Sequence, residues 1–165
     1  MRTLLQELRY EENEALDFQQ IQTILGNRCK NLRVKYTDLE SLHNNYTIND
    51  LLPSHVNSAL VLLTARLNAR VNRHWVTLMR HQNGKISFYD PLRLGPNVLS
   101  SYMKDKGYFA RFLKQIKADV NTSKHQRNAD MIKTCGLHAC CRLVAFSVQD
   151  LTNKQYDHWI SSVNT

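Results

Sequence analysis

The stretch RHWVTLMRHQNGKISFYDPL, residues 73 to 92, constrains the fold more than any other part of the chain. Two runs of strand-forming residues flank Gln82-Asn83-Gly84, and Asn-Gly is the strongest short hairpin signal because both residues tolerate positive φ. The spacing predicts strands near 73 to 80 and 85 to 90. A tight turn between antiparallel strands brings their far ends together, so His74 and Asp90 are expected to pair across the ladder. An imidazole held by a carboxylate is oriented and kept basic, as the general base for a thiol must be. Taken singly, His74 reads as a half-buried histidine beside Trp75, and Asp90 as the start of an Asp-Pro turn.

A partner for that base comes from KTCGLHACCRL, residues 133 to 143, which holds three of the four cysteines. Leu137, Cys140/Cys141, Val144 and Val148 recur at helical steps, predicting a buried helix over about 136 to 148. Cys135 stands just before its first turn, where free N–H groups and partial positive charge stabilise a thiolate. Gly136 removes a side chain where a substrate backbone has to approach. Cys140 and Cys141, one turn further in, read as core residues. Structural zinc wants paired ligands two to four residues apart, and the chain has no Cys-x-x-Cys; no metal site is expected. Adjacent Cys140 and Cys141 in a chain with a sizeable core also speak against a disulfide scaffold. Gln126 lies nine residues before Cys135 in the polar connector NTSKHQRNAD. Its amide could join the backbone N–H of Cys135 in an oxyanion hole, though by itself it reads as a solvated loop residue.

The remaining chain supplies a body for these pieces. At 165 residues and 42% hydrophobic content, one domain spanning 1–165 with one core is the expectation. Residues 1–45 read as an acidic, partly helical extension packed on a catalytic core at 46–165, with helices between about 3 and 25 ending near Gly26 and a short strand in NLRVKY. Pro53 and Ser54 followed by Val56, Leu60, Leu63 and Leu67 predict a helix over about 55 to 70. Residues 97 to 119 read as helix in two pieces meeting at Gly107, with Phe109, Phe112, Leu113 and Ile116 as an apolar stripe. A last helix starts from a Thr152 cap. No run of about 18 apolar residues could cross a bilayer, and the acid-rich start lacks a clean signal-peptide core, so a soluble, unsecreted protein is expected. Residues 1–50 hold 6 Lys/Arg against 8 Asp/Glu, and residues 51–165 hold 16 against 6. A basic body of that kind attracts polyanions or acidic substrates, or is simply a solvated basic face.

The ordered set HWVTLM, ISFYDPL, HQRNAD and CGLHACCRLVAF resembles the cysteine protease superfamily that contains the adenovirus maturation protease (adenain) and the SUMO-specific proteases. YTINDLLPSHVNSAL is similar to the segment preceding the catalytic histidine in the SUMO-protease branch, so the resemblance covers about 46 to 148. It implies an α+β, papain-like fold with a central mixed sheet flanked by helices and the nucleophile at the N-terminus of a central helix. It also implies a cysteine peptidase with His74 as base, Asp90 as its orienter, Gln126 as oxyanion donor and Cys135 as nucleophile, with Trp75 packed beside the site. The family usually shows a shorter Gln-to-Cys gap and often an acid where Thr134 stands, which keeps His125 and Asn128 as alternative donors.

Compact proteases of this type are similar to those of DNA viruses and virophages. That implies a monomer that processes capsid precursors at Gly-x sites in the virion or in a viral factory of the host cytoplasm or nucleus. The partners implied are a polypeptide substrate and, through the basic surface, non-specific DNA, with no membrane and no cofactor. Other readings are a SUMO or ubiquitin-like deconjugating protease, an effector-type acetyltransferase, and a non-catalytic basic module associated with nucleic acid.

Overall fold

The computed structural model describes residues 18–26, 29–39, 46–67, 70–125 and 135–163. In chain order they form α1 (Phe18–Gly26), β1 (Val34–Asp38), α2 (Ile48–Leu51), β2 (Ser58–Leu67), β3 (Arg70–Arg80), β4 (Ile86–Tyr89), α3 (Pro96–Met103), α4 (Tyr108–Gln115), β5 (Asp119–Val120), α5 (Cys135–Gln149) and α6 (Asn153–Val163). The fold is α+β. One mixed open sheet, ordered β1-β2-β3-β4-β5, lies between helical layers.

The predicted hairpin is present. β3 and β4 pair antiparallel from Thr77↔Tyr89 to Arg80↔Ile86. Gly84 has φ +84° and its N–H donates to His81 O at 2.9 Å, while His81 N–H donates to Lys85 O at 2.8 Å. Asn83 accepts the Lys85 amide at 3.0 Å, which completes the turn with its own side chain.

The helix expected over 55–70 is instead β2, a central strand that pairs parallel with β1 and antiparallel with β3. Its alternate residues enter two different cores. Leu60 and Leu62 pack with Trp75, Met79 and Tyr89 under α5, whereas Ala59, Val61 and Leu63 pack with Val76, Leu78 and Phe88 against Leu51, Leu99, Phe109 and Phe112. A strand buried on both faces reads as an unbroken apolar run, and helical spacing can then be found in it by accident. Residues 97–119 do split at Gly107, which has φ +81°, but the second helix stops at Gln115 and residues 119–120 form β5, parallel to β4. Asp105 sets the split by accepting the Gly107, Tyr108 and Phe109 amides at 2.9 to 3.1 Å.

α5 runs as predicted, one residue earlier at its start, and ten of its residues are buried. α1 adds Ile21 and Leu25 to the core beneath it, so at least this part of the N-terminal region packs on the body. The far end of α5 is tied to the hairpin turn: His81 Nδ1 lies 2.8 Å from Asp150 Oδ1, and Nε2 lies 2.6 Å from Ser87 Oγ. Arg142, fully buried on α5, donates to Asn153 Oδ1 and Leu151 O and lies over the Tyr156 ring, joining α5 to α6. No described helix is long and apolar enough to cross a membrane.

Candidate active site

His74 sits on β3 opposite Leu63, inside the sheet rather than at a frayed end. Each step along β3 moves one residue back along β4, which places Asp90 across from Val76. His74 and Asp90 are therefore diagonal neighbours on one face, not directly opposed as the hairpin alone suggested, and a diagonal pair is still within side-chain reach. His74 Nε2 and Asp90 Oδ1 are 2.5 Å apart, and both residues are buried.

Asp90 is held from several directions. Its Oδ1 also accepts the Leu92 amide and its Oδ2 accepts the Leu94 amide, both at 2.9 Å. The buried side chain of Asn121 grips its backbone, accepting Asp90 N–H at 2.8 Å and donating to Asp90 O at 2.7 Å. A carboxylate with that many donors stays oriented and needs no rearrangement to hold a charged imidazole. Asn121 has no signal in the sequence, because its role arises only when β5 delivers it beside the end of β4.

Cys135 is the first residue of α5 and is 3% exposed, with Gly136 buried behind it. His74 and Cys135 are brought together. Burial alone would lower the His74 pKa, but the hydrogen bond to Asp90, hydrogen bonding and charge from Cys135, and the charge of Asp90 outweigh it, and the pKa is raised to about 9. His74 Nδ1, the nitrogen that Asp90 does not occupy, is buried and has no well-formed hydrogen bond among the described residues. Loose geometry of this kind between base and nucleophile is common in a free enzyme and tightens with substrate.

The other cysteines differ in kind. Burial pushes Cys140 well above the ordinary thiol range and Cys141 up to about 12, so both remain protonated thiols in the core. Trp75 is buried in the same cluster as Cys135. Tyr102 on α3 also reaches the neighbourhood: its phenol pKa is raised by burial and then by the charge of Cys135. Gln126 and Asn128 lie outside the described residues. His125 is committed elsewhere, with Nδ1 2.8 Å from the Tyr89 hydroxyl and Nε2 2.9 Å from Asp157 Oδ1, so neither ring nitrogen is left to serve an oxyanion.

The arrangement offers a thiol at a helix N-terminus, an imidazole beside it and a buried carboxylate fixing the imidazole. Those parts are what nucleophilic acyl transfer requires. No protein-family profile matches the chain, and no curated protein does.

Proposed function

We propose that this chain is a cysteine endopeptidase with a papain-like fold of the adenain and SUMO-protease type. The observation that carries the proposal is His74 lying between Asp90 and Cys135, three residues from a hairpin and a distant helix that share no local reason to meet. In the reaction, His74 already carries on Nδ1 the proton given up by Cys135, and the sulfur attacks the scissile carbonyl carbon, forming a C–S bond and a tetrahedral oxyanion. The backbone N–H of Cys135 at the helix start, with Gln126 as the side-chain donor that the resemblance implies, stabilises that oxygen. Collapse breaks the C–N bond, and His74 returns the proton to the leaving amine. Water, deprotonated by His74, then attacks the thioester carbonyl, releasing the acid product and the thiol.

The substrate follows from the resemblance: a viral capsid or other structural precursor cleaved at small-residue Gly-x sites. The test is incubation of the purified chain with candidate capsid precursors and, in parallel, with SUMO and ubiquitin-like conjugates. Cleavage of the precursors, lost in Cys135→Ala, is the expected outcome. Turnover of conjugates alone would reassign the site to deconjugation, and Cys135 labelling that depends on acetyl-CoA would reassign it to acetyl transfer.

A further inference from the structure

A cavity of about 680 Å³ opens at the opposite end of the sheet from Cys135, between the β1–β2 approach and the last turn of α5. The length of α5, about 22 Å at 1.5 Å per residue, separates it from the candidate active site. Arg33, Arg80, Asn57, Ser147, Gln149 and Asp150 are among its lining residues. Volumes of about 300 to 1,000 Å³ are usual for small-molecule sites.

Its electrostatics are one-sided. Arg80 donates to Leu52 O at 2.7 Å, Val56 O at 3.0 Å and Pro53 O at 3.4 Å, and Arg33 Nε donates to His55 O at 3.0 Å. These carbonyls satisfy donors but carry no net charge, and among the described residues neither guanidinium pairs with a carboxylate. The two terminal nitrogens of Arg33 have no partner among the described residues. Asp150, the acid on the lining, is already committed to His81 Nδ1 at 2.8 Å and to the Gln82 amide at 3.4 Å. The cavity thus holds one guanidinium, Arg33, whose terminal fork is unused among the described residues, beside a second, Arg80, whose donors are largely taken by carbonyls but whose charge no described carboxylate neutralises. A guanidinium is the group best matched to carboxylate and phosphate oxygens.

We infer that this cavity is a second binding site, taking the carboxylate or phosphate group of a small ligand on Arg33 and Arg80. The loop that both arginines grip, residues 52–56, holds the two guanidinium groups near one another before any ligand arrives, so binding needs little reorganisation. The amide and hydroxyl side chains of Asn57, Gln149 and Ser147 supply hydrogen bonds for the rest of the molecule.

The experiment is a titration of the isotope-labelled full chain with inorganic phosphate in one arm and acetate in the other, at constant ionic strength. It follows the Arg33 and Arg80 Nε–H resonances and the amides of Ser147 to Asp150. Saturable shifts at these positions are expected in at least one arm, and which arm saturates identifies the group. Arg33→Gln should weaken the binding by roughly tenfold or more, as loss of a charge-assisted bond does. Ser147→Glu, which sets a carboxylate on the lining without touching the arginines, should weaken it similarly. Shifts that fail to saturate in both arms, or binding unchanged in both variants, overturn the site. The readout is binding, so its failure leaves the peptidase proposal untouched, and loss of peptidase activity says nothing against it.

Discussion

His74 Nε2 and Asp90 Oδ1 meet at 2.5 Å across sixteen residues of chain, and the same carboxylate also fixes the amides of Leu92 and Leu94. One buried charge therefore orients the base and closes the turn that leads into α3. Asp90→Asn keeps the shape but removes the charge. We predict a fall in kcat/KM of roughly 10²- to 10⁴-fold, the range for loss of effective acid–base catalysis. The His74 pKa should drop from about 9, and stability should fall by about 3 kcal/mol, as when a buried pair loses one partner. An NMR titration of His74 and a denaturant midpoint check both; an unchanged His74 titration would show that Asp90 does not hold the charge.

The raised His74 pKa has a definite sign in stability. Its ordinary value is 6.5 and its folded value about 9, so the folded chain binds the proton more tightly than the unfolded one. This contribution is fully present below about pH 6.5 and is lost as pH rises through 9. Urea midpoints of the wild type and His74→Gln measured from pH 6 to 10 should converge across that window. A constant gap between them would refute the assignment.

Alkylation should separate the three clustered cysteines. Cys135 faces the imidazole, while burial holds Cys140 and Cys141 as thiols. Limiting amounts of a cysteine-directed reagent should modify Cys135 in the native protein, and Cys140 and Cys141 only after denaturation, as read by peptide mass mapping. Cys135→Ala should remove native labelling and peptide cleavage while leaving the circular dichroism spectrum intact. Native labelling spread evenly over the cluster would be inconsistent with a selective nucleophile.

Just past the end of β3, Ser87 and Asp150 hold His81. From His74 to His81 is about 23 Å at 3.3 Å per strand residue, close to the roughly 22 Å length of α5. Strand and helix thus meet at two places, the middle of β3 beside the start of α5 and the residue after β3 beside the end of α5. Ser87→Ala strands the buried Nε2 of His81, which should lower stability by about 1–3 kcal/mol. Per folded molecule, the alkylation rate of Cys135 should stay within about twofold of wild type. A selective collapse of that rate would mean that the turn-end contact also sets the geometry of the reactive end.

The pieces that local chemistry decides were legible from the residues. The turn after β3 forms through the positive φ of Gly84 and the side chain of Asn83, and the run after Cys135 is legible as a helix because its apolar residues recur at helical steps, although α5 is buried nearly all round. The acid and the base could be named because a hairpin relates its two strands by simple geometry. β2 was misread for the opposite reason: with cores on both faces, its pattern lost the alternation that marks a strand. The end of α4 and the start of β5 were likewise invisible, since a two-residue strand exists only through its pairing with β4.

By itself, then, the sequence determined the hairpin, the helix that starts at Cys135 and the division of its cysteines into one at the helix mouth and two further along the buried helix, all consequences of contacts within a few residues. Only the tertiary structure decided that His74 reaches Asp90 diagonally, that Asn121 grips Asp90 from just beyond β5, and that Cys135 arrives beside His74. Those relations depend on how the sheet stacks beneath α5, and stacking is set by the summed burial of many side chains far apart in the chain, which no short stretch encodes.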